Sequence, residues 1–74
     1  MDGRQCRAAR ALLGISQDEL ARETGVSKRT IASFELGKHD LSPRTLMALV
    51  VKVEDLGVEF IPENGGGAGV RLKK

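Results

Sequence analysis

The sequence has no tryptophan, no tyrosine and only two phenylalanines, Phe34 and Phe60. Stacking of splayed bases on aromatic rings, the usual hold on single-stranded nucleic acid, is therefore poorly supplied. One cysteine, Cys6, rules out a disulfide framework within the chain and fits a reducing compartment. Its plain reading is a small buried apolar residue of the first helix. Long apolar runs are missing as well. The longest, Leu46 to Val51, is far too short to cross a bilayer. The opening "MDGRQCRAAR" lacks the apolar stretch of a signal peptide, so the expectation is a soluble cytoplasmic protein.

What is present is a charged chain of 74 residues with a net charge of only +2, enough for one domain with a modest core. That balance permits nucleic-acid binding without demanding it. The distribution says more. Arg4, Arg7 and Arg10 gather near the start, whereas Asp18, Glu19 and Glu23 gather on the following segment.

Capping signals divide the chain. Asp2 with Gln5, and Ser16 with Glu19, have the spacing of capping boxes. Ser27 and Ser42 stand as two further N-caps, the latter followed by Pro43 in the first turn. Gly14, Gly25, Gly37 and Gly57 mark the four ends. The expected helices carry Cys6, Ala9 and Leu13; Leu20 and Ala21, over Gln17 to Glu23; Ile31 and Phe34, over Lys28 to Glu35; and Leu46, Leu49, Val50 and Val53. After Gly57 the pattern turns β-prone in "VEFI" and "GVRL", separated by the turn-rich "PENGGGA". The triple glycine has no following Lys-Ser/Thr and no helix after it, so it reads as a loop and not as a phosphate cradle. The fold expected is mainly α: a compact four-helix unit over residues 1–57, then a C-terminal β-strand pair over 58–74.

Counted from Gln17, Ala21 is fifth, Gly25 ninth and Ile31 fifteenth. This is the spacing of a helix-turn-helix, in which a small residue lets two helices approach, a glycine makes the turn and a branched residue packs the second helix on the first. The stretch from Arg4 to about Leu49, with "SQDELA", "GVS" and "ELGK" and the upstream Arg10, resembles the phage repressor/Cro (Xre-type) family of helix-turn-helix DNA-binding domains. The resemblance implies a compact helical bundle, a third helix that enters the major groove of double-stranded DNA, and a dimer on a two-fold operator.

That implication explains an oddity. Lys28 and Arg29 open a helix, where the macrodipole disfavours cations by a few tenths to about 1 kcal/mol. A bidentate contact to guanine is worth roughly 1–3 kcal/mol of discrimination, so DNA would more than offset the loss. The plain alternative is a pair of solvated surface cations. By the same resemblance Gln17 meets a phosphate, Ser27 adds a phosphate contact to its cap, and Thr30 and Ser33 share the exposed face. Ser33 stands at a base-reading position. Ala32 could meet a thymine methyl. The family pairs the residues matching Arg10 and Glu35 between the first and third helices, which turns the arginine toward phosphate; a structural ion pair is the competing reading. Lys38 and Arg44 are expected backbone contacts. His39 has no second ligand at metal spacing, and Ser16, His39 and Asp40 have neither pocket nor oxyanion donor, so the chain reads as no enzyme and as needing no cofactor or metal.

The C-terminal segment departs from the family, which continues with a fifth helix. A lone hairpin is marginal in water. Residues 58–72 are therefore expected to form a homodimer interface through strand edges, or else to cap a monomer's core. Lys73 and Lys74 read as a solvated end. The leading function is a sequence-specific transcriptional regulator without a sensor domain. The alternatives are an antitoxin that represses its own operon and binds a toxin through a C-terminal tail that orders on binding, and a bridging module that binds protein only.

Overall fold

The computed structural model describes residues 1–63 and 65–73; the expectations for Asn64 and Lys74 lie outside the described residues. Four helices come first: α1 (Gly3–Leu13), α2 (Gln17–Thr24), α3 (Lys28–Glu35) and α4 (Pro43–Asp55). Two strands follow, β1 (Val58–Ile61) and β2 (Gly69–Leu72). Each helix starts where a polar side chain captures an otherwise unpaired backbone N–H. Asp2 and Ser16 do so within full capping boxes, while Ser27 and Ser42 accept from the amides of Thr30 and Thr45. The α2–α3 turn is closed by Gly25 at φ 77°, in the left-handed region that a side chain would strain.

All four helices and β1 contribute to one core. Cys6, Ala9, Leu20, Ile31, Leu49, Val53 and Val58 are fully buried, with Phe34 beside them. The expected inward residues Leu13, Ala21, Leu46 and Val50 are only half-buried, because they stand where the small bundle already meets solvent. β1 and β2 pair antiparallel with each other, Val58 opposite Leu72 and Phe60 opposite Val70. The hairpin lies on α1 and α4, Val58 closes the core, and the Gln5 side chain donates to the Gly69 carbonyl at 3.0 Å. The alternation expected of the strands fades along β2. Val70 is half-buried and Leu72 is 47% exposed, since β2 ends at the rim.

The approach of α1 to α3 depends on a residue the sequence did not single out. A Cβ on Gly3 would run into the Phe34 carbonyl oxygen and lie 2.9 Å from the Glu35 Cα. This contact of backbone with backbone brings the start of α1 against the end of α3.

Candidate nucleic-acid interface

α3 is held from beneath by Ile31 and Phe34, so its opposite side faces outward. Lys28 and Arg29 are exposed there, Ala32 and Ser33 half-buried, and Leu36, just past the helix end, is 69% exposed. One depression beside this ridge is lined by Arg29, Thr30, Ser33, His39, Asp40 and Leu41. Another, on the other side, is lined by Arg7, Arg10, Gln17, Ala32, Glu35 and Leu36. The structure thus brings Arg29, Thr30 and Ser33 together, and Arg10 and Gln17 together, with α3 between the two groups.

The second group is organised by Glu35. Its carboxylate accepts from Arg10 Nε at 2.8 Å and Arg10 Nη2 at 2.7 Å, from Gln17 Nε2 at 3.0 Å and from Cys6 Sγ at 3.2 Å. Arg10 also donates to the Ile15 carbonyl at 3.2 Å. Burial alone would push the Glu35 carboxyl up, but the hydrogen bonds from Arg10, Gln17 and Cys6 and the guanidinium charge outweigh it, and the net shift is downward. For Cys6, burial comes first and the hydrogen bond to Glu35 second; together they push the thiol up to about 12, so it remains a neutral donor. α1, α2 and α3 are therefore joined at one buried carboxylate, and α3 is fixed in roll and tilt relative to the end of α2 that bears Gln17. The arginine keeps a narrow outward window, its side chain being 16% exposed.

Several expected residues have partners that the sequence did not announce. Lys28 Nζ lies 3.4 Å from Asp18 across the turn, both side chains well exposed. Ser27 caps α3 and donates to the Thr30 hydroxyl at 2.8 Å, so both hydroxyls are engaged with each other. Lys38 is exposed in the loop after α3, and its backbone N–H donates to the Ser33 carbonyl at 2.9 Å. Arg44 lies elsewhere, in a groove with Glu23, Thr24 and Met47, at the end of α2 away from Gln17. The same surface also takes in residues for which the sequence suggested no DNA role: Arg7 and Leu36, which share the Arg10 depression, and Arg4, which lines an adjoining one. Their signal was present in part: Arg4, Arg7 and Arg10 recur every third residue, which puts them along one side of α1.

A family model described as helix-turn-helix matches residues 7–51, more than half of the chain. The chain belongs to this helix-turn-helix family. The match runs from α1 into α4 and includes the whole Glu35 cluster except Cys6. An uncharacterized HTH-type transcriptional regulator of Methanocaldococcus jannaschii is 39% identical over 51 residues, covering 64% of this chain and 77% of that protein. Among the described residues no helix is long and apolar enough to cross a membrane.

Proposed function

We propose that this helix-turn-helix protein is a cytoplasmic, sequence-specific regulator of transcription that binds double-stranded DNA, with α3 in the major groove. The observation that carries the reading is the outward face of α3: Lys28, Arg29, Ala32 and Ser33 stand clear of the core on a helix locked at its base by Glu35. Two cations at a helix N-terminus are out of place in an isolated fold. Against a duplex they meet phosphates and base edges, and Arg29 is the side chain suited to a bidentate contact with guanine. Ser33 reads donor or acceptor, and Ala32 offers a methyl to thymine. Arg10, Gln17, Ser27, Thr30 and Lys38 then position the duplex through its backbone, as phosphate contacts do.

The reading includes a homodimer on a two-fold operator. Recognition helices in such dimers lie about 34 Å apart. One chain measures 31 × 25 × 19 Å, small enough for two copies to stand side by side within that spacing. The antitoxin alternative asks for a C-terminal segment that orders only on its toxin. Here β1 and β2 pair with each other and Val58 enters the core, which favours a stand-alone regulator.

The test is the affinity for duplex DNA over a range of salt concentrations. A regulator of this design gives a log–log slope of about −0.9 for each phosphate neutralised, over several phosphates. A flat salt dependence favours the protein-only bridging module.

A further inference from the structure

A two-fold site needs a surface through which two copies meet. In the hairpin β1 and β2 pair with each other through one edge each, which leaves their outer edges as the expected alternative, while Val58 is in its own chain's core and the pair Glu59–Arg71, 3.1 Å apart, covers the exposed side. α4 is different. Its inner stripe is Leu49 and Val53. At 100° per residue the opposite side carries Arg44, Met47, Ala48, Val51 and Asp55, and all five line one open groove. The outer side of a surface helix is ordinarily polar. Here Met47 is 58% exposed and Val51 47%, with a charge at each end of the stripe.

Those two charges stand at the wrong ends. Arg44 is the second residue of α4 and Asp55 the last, so the macrodipole disfavours both. Among the described residues neither is within ion-pair distance of an opposite charge, although Glu23 and Lys52, paired with each other at 2.9 Å, line the same groove. We propose that this face packs against the same face of a second copy, α4 against α4, antiparallel about a two-fold axis. The stripe is its own complement. Arg44 of one copy meets Asp55 of the partner, beside the C-terminus of the partner's helix, and Asp55 meets Arg44 of the partner beside its N-terminus. Met47, Ala48 and Val51 of both copies fill the middle. Each charge gains an opposite charge and a helix end of the favourable sign. The contact is short, about 16 Å of helix at 1.5 Å per residue, which places it among weak, reversible associations.

The proposal concerns assembly and is tested without DNA, so it stands or falls separately from the DNA-binding reading. Sedimentation equilibrium of the full chain is expected to show a dimer. Arg44→Glu alone and Asp55→Arg alone weaken it about tenfold or more, because each sets like charges face to face. The double variant restores it to within about threefold of the wild type. All three variants suit the macrodipole better than the wild type, so each is expected to keep the helical far-UV circular dichroism of the wild type at a protein concentration where the wild type is also monomeric, and loss of the dimer is not loss of the fold. Leu72→Lys, on the hairpin, leaves the dimer intact. A wild type that stays monomeric up to about 1 mM, single variants that associate as the wild type does, a double variant that stays apart, or a dimer lost with Leu72→Lys overturns the proposal.

Discussion

Arg10 grips Glu35 at two points, Nε to Oε2 at 2.8 Å and Nη2 to Oε1 at 2.7 Å, and through this pair α1 fixes the position of α3. Both side chains are well covered, 16% and 4% exposed, so removing either partner leaves a charge stranded. Glu35→Ala is expected to cost about 3–5 kcal/mol, the usual penalty for breaking a buried pair from one side. In a chain this small that is a large share of total stability. Thermal and urea denaturation read it directly, and an unchanged melting temperature contradicts it.

The same carboxylate sets an acid limit. Its value in the fold lies below the ordinary 4.5, so the unfolded chain binds its proton first as the pH drops. The stabilisation from Glu35 is then complete above that ordinary value and disappears as pH falls through the lower, folded value. Melting temperature followed from about pH 6 to about pH 3 should fall more steeply for the wild type than for Glu35→Gln, which carries no titrating group there. Parallel curves contradict the assignment.

Gly3→Ala separates helix propensity from packing. Alanine is the better helix former by about 1 kcal/mol in a helix interior, which by itself would stabilise α1. The added Cβ meets the backbone of Phe34 and Glu35, which has no rotamer by which to yield. Overpacking of this kind costs typically about 1–3 kcal/mol, so a lower melting temperature is expected. A higher one contradicts the close approach of α1 and α3.

Helix starts, helix ends and most of the inward residues were legible because their causes are local. A serine three residues before a glutamate, or a glycine after an amphipathic run, acts within one turn of backbone. The helix-turn-helix was legible for the same reason, as three residue types at fixed spacing from Gln17. The Arg10–Glu35 pair came through the family resemblance. The other donors to Glu35, from Gln17 and Cys6, depend on how three helices converge, and no periodicity carries that. The surroundings of Arg44 are similar: its place in α4 was clear, but the groove it shares with Glu23 and Thr24 follows from the packing of α4 on α2. Arg7 was noted only as one of a basic group and Leu36 not at all, because a surface arginine and an exposed leucine look ordinary until they line one depression with Arg10.

Asp18 gives a prediction of opposite sign. It lies 3.4 Å from Lys28 and brings a negative charge to the edge of the α3 face. An exposed pair adds little to stability, typically within about 1 kcal/mol. Asp18→Asn is therefore expected to leave the melting temperature nearly unchanged while raising duplex affinity and steepening its salt dependence, since Lys28 becomes free for phosphate. Equal or weaker binding in a titration at fixed salt contradicts this.

The central claim is that α3 reads sequence in the major groove, and selection from a randomised duplex pool tests it most directly, with the wild type and Arg29→Ala run side by side. The wild type is expected to enrich an inverted repeat with half-sites about one helical turn apart. Arg29→Ala is expected to bind roughly 1–3 kcal/mol more weakly and to lose discrimination at one symmetric pair of positions. A wild-type pool that stays random, or an Arg29→Ala pool with the same motif and the same affinity, contradicts it.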